Sequence, residues 1–244
     1  MAGNGCDRDR IWSFQKREYW DGRYKQRLDG NTDFNESTFD WLCTYDAVRD
    51  FIDRHIAGAT FALDIGCGNA DFAAAVCAAH PHMFITGIDY SPMLFDLCTS
   101  SIRPRGGWML MDACALAFRA GSFDVVLDKG CLDALCAGYD QLAVLRGWGR
   151  DITEQEVALE SAAVSKVAQL LREVDRCLAP GGRYICISYE GPAGRQRFFS
   201  GAAASPLSLE LVESCVEEAS HNYVYVFKKR RGVAARAAGR GVAC

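Results

Sequence analysis

Residues 60–69 read TFALDIGCGN, a short apolar run, Thr60–Ile65, that closes on the turn Gly66-Cys67-Gly68. A run of this length ending in glycines reads as a strand delivered into a tight turn. Glycine at such a turn lets the backbone approach a ligand, because no Cβ stands in the way. Downstream the alternation repeats. Asn69–Ala79 reads as an alanine-rich helix, Phe84–Asp89 as a strand, Pro92–Ser101 as a helix, and Trp108–Met111 and Phe123–Asp128 as strands. Gly130–Ala137 reads as a short helix or loop, and Glu154–Leu178 as a long amphipathic helix closed by Pro180-Gly181-Gly182. Arg183–Ser188 is the next strand. Such β-α alternation predicts a parallel sheet with helices on both faces.

The two ends of the chain differ from this middle. Ser208–Val216 and Asn222–Lys228 are strand-like runs with too little chain between them for a crossover helix, so they predict an antiparallel hairpin. The expected fold is therefore α/β: a doubly wound mixed sheet finished by a C-terminal hairpin. Before the first strand, Leu42–Ile56 carries apolar residues at helical spacing (Val48, Phe51, Ile52, Ile56). Residues 1–41 are rich in aromatics, with a short helix expected around Arg17–Gln26. Residues 229–244 form a basic tail rich in alanine and glycine, for which disorder is the expectation.

A chain of 244 residues fits one such domain. Half of it is apolar, 24% is charged, and the net charge is −4, so no overall basic field favours nucleic acid or an anionic membrane. The opening MAGNGCDRDRIWSFQKREYW has no uninterrupted apolar core of a secretory signal. No run approaches the roughly 18 apolar residues of a spanning helix. A cytoplasmic location, no membrane partner and no direct nucleic-acid partner are expected, with a monomer as the default. Twelve cysteines stand without one C-x-x-C pair, beside only four histidines (His55, His80, His82, His221). They read as small buried apolar side chains rather than as a disulfide frame or a metal site.

In a doubly wound sheet, ligands bind at the carboxyl ends of the strands. Three acids end the first three strands here: Asp64, Asp89 and Asp112. A carboxylate at Asp89 can accept hydrogen bonds from both hydroxyls of a ribose. Asp112 with the backbone amide of Ala113 can read the amino group and ring nitrogen of an adenine. Position 71 is Asp, where the dinucleotide fingerprint carries its third glycine, so the turn departs from NAD binding. Plainer roles exist for each acid: Asp64 as a turn cap, Asp89 and Asp112 as caps of following helices. Three in order, followed by Pro180-Gly181-Gly182, favour a cofactor site.

The motif Asp64-Ile65-Gly66-Cys67-Gly68-Asn69 resembles motif I of class I S-adenosylmethionine-dependent methyltransferases. Gly87-Ile88-Asp89-Tyr90-Ser91, Asp112-Ala113 and Leu178-Ala179-Pro180-Gly181-Gly182 resemble later segments of that family. The resemblance implies a Rossmann-like seven-stranded sheet of order 3-2-1-4-5-7-6, with the seventh strand antiparallel. Residues 123–135, FDVVLDKGCLDAL, are similar to a narrower pattern, F-D-V-V-L-[DE]-K-G-T-L-D-A-L. It marks a methyltransferase-like subgroup that includes lysine methyltransferases of translation elongation factor 1-alpha and a relative acting on citrate synthase. Residues 19–24, YWDGRY, and Phe39-Asp40-Trp41 resemble that subgroup's N-terminal segments. The resemblance implies S-adenosylmethionine as cofactor, held by Trp20, Tyr24, Trp41, Asp64, Gly66, Gly68, Asp89, Tyr90, Asp112, Ala113 and Lys129. It implies that residues 1–41 close over the site of a methyltransferase domain at 42–228. Cys131 replaces the pattern's threonine, Ala113 stands where valine is common, and Tyr139–Thr153 is peculiar to this chain.

Methyl transfer needs a neutral nucleophile held close to the methyl group, so positioning and desolvation supply most of the acceleration. A lysine, ordinarily at a pKa near 10.4, loses its proton more readily in a partly apolar channel. Trp20, Tyr24 and Trp41 are candidate walls for such a channel, or plain core aromatics. Asp128 and Asp133 are candidate catalytic acids that orient the amine or accept its proton, or else turn and cap residues near Gly130. The Asn/Asp-Pro-Pro-aromatic run of base-amine and amide methyltransferases is absent, since residues 128–131 read DKGC. The expected function is a protein-lysine N-methyltransferase, with elongation factor 1-alpha as substrate by resemblance. The alternatives are a small-molecule methyltransferase and a non-catalytic cofactor-binding scaffold.

Overall fold

Near-continuous apolar runs in the middle of the sequence require strands covered on both faces, and the computed structural model places them so. It describes residues 13–28, 41–94, 105–199 and 207–231. Among these lie helices α1 (Arg17–Leu28), α2 (Tyr45–Ile56), α3 (Asp71–Ala79), α4 (Cys131–Gly147), α5 (Glu154–Cys177) and α6 (Pro192–Phe199). The strands are β1 (Phe61–Ile65), β2 (Phe84–Asp89), β3 (Trp108–Leu110), β4 (Phe123–Lys129), β5 (Leu178–Ser188), β6 (Leu209–Val216) and β7 (Tyr223–Lys229).

The strands form one sheet of order β3-β2-β1-β4-β5-β7-β6. β7 runs antiparallel to both β5 and β6, while the other neighbouring pairs are parallel. This is the expected mixed sheet with its C-terminal hairpin. Register aligns the carboxyl ends: Ile65 lies opposite both Ile88 and Asp128. The strand order reverses between β1 and β4, so the crevice above their ends is the topological switch point.

Side-chain alternation splits the core in two. Leu63, Ile65 and Val126 face α4 and α5, packing with Leu132, Leu170 and Val174. Ala62, Val125 and Leu127 face the other way, packing with Ile52 and Ile56 of α2 and Val76 of α3.

Some boundaries differ from expectation. α4 does not stop at Ala137 but runs 17 residues to Gly147. Gly138 weakens a helix by about 1 kcal/mol against alanine, yet here it sits buried inside one. α5 begins at Thr153 with a capping box, in which the Thr153 hydroxyl accepts the Glu156 N–H and the Glu156 carboxylate accepts the Thr153 N–H. α6, absent from the sequence reading, buries Arg195 and Phe198. Most of the expected helix Pro92–Ser101, Phe39 and Asp40 of the N-terminal motif, and the tail beyond Arg231 lie outside the described residues. No helix among the described residues is long and apolar enough to cross a membrane.

Candidate active site

A cavity of about 500 Å³ opens over the carboxyl ends of β1 to β5, within the usual range for a small-molecule site. All eleven residues expected to hold a cofactor line it: Trp20, Tyr24, Trp41, Asp64, Gly66, Gly68, Asp89, Tyr90, Asp112, Ala113 and Lys129.

The half of the cavity above β1, β2 and β3 is built from local turns. Gly66 and Gly68 take φ of +61° and +53°, a region side chains rarely adopt. A Cβ on Gly66 would stand 2.8 Å from the Cβ of Cys131. The Cys67 N–H donates to the Ile88 carbonyl at 3.0 Å, fixing the turn against β2. Asp89 is buried, and its carboxylate accepts the Ser91 N–H at 2.9 Å and the Gly68 N–H at 3.3 Å. Burial pushes its pKa up to about 6, against the pull of those backbone donors. Asp112 accepts the Cys114 N–H at 2.8 Å, which shapes the turn after β3.

An aromatic wall closes this half. The rings of Trp20 and Trp41 lie 5.9 Å apart and those of Trp20 and Tyr24 6.1 Å apart. Trp20 donates its indole N–H to the Phe14 carbonyl, and Phe14 itself lines the cavity. Two tethers hold the wall. Lys129 Nζ donates to the Trp41 carbonyl at 2.9 Å, and the Ser91 hydroxyl donates to Asp21 of α1 at 2.5 Å. Burial and the Asp89 charge hold the Tyr24 phenol well above its ordinary pKa. Cys131 and Cys114 also line the cavity, and burial raises both thiols, Cys114 to about 12. They are therefore neutral, weakly polar walls at physiological pH.

The half above β4 and β5 is built from long-range pairs. Asp133 lines the cavity, with one oxygen accepting from the Ser188 hydroxyl (2.6 Å) and Arg195 Nη2 (2.8 Å) and the other accepting the Tyr189 N–H (2.8 Å). Arg195 is wholly buried and also forks onto Asp140 at 3.0 and 2.9 Å. The Tyr189 hydroxyl donates to Asp140 at 2.5 Å. Asp140, Gln141, Tyr189 and Glu190 complete this wall, and the sequence reading had singled out none of them. Only the helical phase of Asp133, Ala137, Asp140, Gln141 and Val144 could have grouped part of the set; nothing local to Arg195 points to Asp133.

Asp128, expected beside Asp133 as a catalytic acid, is not among the lining residues. It is 1% exposed, accepts the Cys131 and Leu132 N–H groups at 2.9 and 3.2 Å, and accepts the Tyr184 hydroxyl at 2.8 Å. It serves as the turn acid that starts α4, and burial pushes its pKa up to about 7. The geometry thus supports the plainer of the two roles considered for it.

Residues 62–155 match the profile of a methyltransferase domain. The chain is 30% identical over 230 residues to the EEF1A lysine methyltransferase 4 of Mus musculus, covering 92% of this chain and 80% of that protein. It is 31% identical over 192 residues to the EEF1A lysine methyltransferase 4 of Bos taurus, covering 78% of this chain and 67% of that one. In fold it is similar to a chain of the complex between the Haloferax volcanii Trm112 methyltransferase activator and a methyltransferase. That similarity has a TM-score of 0.54 at 13% identity, over 88% of this chain and 98% of that one.

Proposed function

This chain belongs to the family of S-adenosylmethionine-dependent methyltransferases, and we propose that within it the chain is a protein-lysine N-methyltransferase acting on translation elongation factor 1-alpha. The observation that carries the reading is the charge of the cavity half above β4 and β5. Asp133, Asp140 and Glu190 line it, and the wholly buried Arg195 pairs with the first two. Acids in excess draw a cationic side chain, and lysine is the cation that can become a nucleophile by losing a proton. The relatives at 30% and 31% identity, named as EEF1A lysine methyltransferases, favour that acceptor.

The cavity suits the family's cofactor on two counts. Gly66 and Gly68 hold the left-handed turn beside Asp64 and Asp89, and a side chain at Gly66 would run into Cys131 of the cavity wall. The buried Asp89 gains most from hydroxyl donors, because it is short of solvent. Bound there, S-adenosylmethionine supplies an electrophilic methyl group on a sulfonium. Asp89 would accept the ribose hydroxyls, and Asp112 with the Ala113 backbone would read the adenine. Asp64, the Gly66–Gly68 turn and Lys129 would hold the amino-acid end. The wall of Trp20, Tyr24 and Trp41 would exclude water. On the acceptor side, Glu190 would hold the incoming ammonium and conduct its proton away, beside Asp140, whose two oxygens already meet Arg195 and Tyr189. Asp133 would be a positioning residue, since both its oxygens already orient Tyr189, Ser188 and Arg195.

The test is transfer from radiolabelled S-adenosylmethionine to purified elongation factor 1-alpha and, in parallel, to whole lysate resolved on a denaturing gel. Label on the factor, located to a lysine by mass spectrometry and lost with Asp89→Ala, is the expected result. Label confined to the small-molecule fraction would replace this reading with a small-molecule methyltransferase. Binding of S-adenosylhomocysteine with no transfer at all would replace it with a scaffold.

A further inference from the structure

The face of α4 that lines the acceptor half does not end with the cavity. Ala137, Gln141 and Val144 line it at three- and four-residue spacing. The next position in that series is Trp148, which caps the helix. At 1.5 Å per residue it lies about 16 Å along the axis from Ala137. Val144 is 50% exposed although it lines the cavity, and Trp148 is 80% exposed. One helix face thus runs out of the cavity mouth through Gln141 and Val144 and finishes on an indole that contributes almost nothing to the core.

The backbone beneath that indole is firmly held. The N–H groups of Trp148, Gly149 and Arg150 donate to the carbonyls of Val144, Arg146 and Leu145 at 3.1, 2.9 and 3.0 Å. Gly149, at φ +74°, makes the turn that leaves the helix. On either side, Arg146 forks onto Glu160 at 2.5 and 2.6 Å, and Arg150 reaches Glu156 at 3.1 Å, clamping the turn to α5. With its backbone held, Trp148 has only its two side-chain torsions to lose when it is covered, and tryptophan is the side chain most often dominant at protein interfaces. Beyond it stand the exposed Asp151 and Glu154, while Asp140 and Glu190 lie within the cavity. The neighbouring arginines are already committed to ion pairs.

We propose that Val144 and Trp148 form the docking surface for the protein acceptor, taking a basic segment that carries an apolar side chain near the lysine to be methylated. The proposal rests on the reading of the cavity as the site of a protein-lysine methyltransferase. Within that reading it assigns recognition of the acceptor to the end of α4 and the turn that leaves it.

The test uses the full chain with Trp148→Ala and Trp148→Phe, purified elongation factor 1-alpha as acceptor, and calorimetric titration with S-adenosylhomocysteine. Removing an interface tryptophan should raise KM for the factor about tenfold or more. Little change in kcat and an unaltered affinity for S-adenosylhomocysteine are expected alongside, with Trp148→Phe recovering much of the loss. An unchanged KM in Trp148→Ala, with the wild type active, would overturn the docking surface and leave the proposed function standing. A loss of kcat and cofactor affinity together would make Trp148 a structural residue and overturn it too. If the wild type transfers nothing to the factor, the proposed function falls and takes this surface with it.

Discussion

Acidification should weaken cofactor binding through one side chain, Asp89. Its carboxyl is buried at the end of β2, and desolvation pushes its pKa up to about 6, with Asp21 nearby adding to the rise. Ribose hydroxyls donate hydrogen bonds, so the ionised form is the one that gains from binding. With only that form competent, the apparent Kd grows by the ratio of total to ionised carboxylate. That factor is close to 1 at pH 8, about 2 at pH 6 and about 11 at pH 5. Stability moves the opposite way. The folded pKa lies above the ordinary carboxylate value, so the folded state holds this proton more tightly than the unfolded chain does. The contribution of Asp89 to stability therefore rises as pH falls through 6, and unfolding by this group cannot mimic the loss of affinity. The assay is calorimetric titration of S-adenosylhomocysteine at pH 8, 7, 6 and 5 and fixed ionic strength, repeated with Asp89→Asn. The amide should bind about tenfold more weakly at pH 8, through loss of charge-assisted hydrogen bonds. It should also show no further loss between pH 6 and pH 5. A wild-type affinity that stays level to pH 5, or an Asp89→Asn variant that keeps the wild-type pH dependence, would refute the assignment.

Three other variants separate the roles of the neighbouring groups. Asp128→Asn should keep cofactor affinity, its pH dependence and methyl transfer, because the side chain starts α4 from outside the cavity. The Asp128 pKa of about 7 lies above the ordinary carboxylate value, so its stabilising effect is greatest at low pH and lost as pH rises through 7. The variant's melting temperature should accordingly gain on the wild type more at pH 8.5 than at pH 5 in scanning calorimetry. Arg195→Lys places a point charge where a guanidinium forks onto Asp140 and meets Asp133. A cost of about 2–3 kcal/mol, or several degrees in Tm, is expected with weakened use of a protein acceptor; unchanged melting would refute it. Lys129→Met removes the donor to the Trp41 carbonyl. It should weaken S-adenosylhomocysteine binding about tenfold, and a wild-type titration would show that the aromatic wall does not depend on this tether.

The cofactor half of the cavity was legible because its parts are local. An apolar strand that runs into Gly66-Cys67-Gly68 carries its meaning within ten residues, and Asp89 and Asp112 are marked by their place at strand ends. The sheet order followed from the family resemblance, and the hairpin from the short link between β6 and β7. The acceptor half was not legible for the opposite reason. Arg195 meets Asp133 and Asp140 from 62 and 55 positions away, on a short helix with no periodic signal. For Asp128 the sequence leaves two roles open, because a strand-terminal acid looks the same whether it points into the crevice or behind it. Here Tyr184, from the neighbouring β5, takes it out of the cavity. The full length of α4 was hidden by Gly138, a poor helix former whose small size suits a buried position.

The two halves of the cavity handle buried carboxylates in opposite ways, and the difference follows from what each must attract. At Asp89, burial is opposed chiefly by backbone donors, so the acid is left on the edge of ionisation and gains when neutral hydroxyls reach it. At Asp133, burial raises the pKa, and the Arg195 charge opposes that rise ahead of the Ser188 and Tyr189 donors. A buried ion pair of this kind is a weak source of stability, since well-packed apolar residues could replace it at little loss. Its effect here is on charge. Without the guanidinium, only neutral donors would oppose the desolvation of Asp133, and its pKa would rise further. A wholly buried arginine set between two acids that both line an open cavity suits a site whose acceptor arrives as an ammonium.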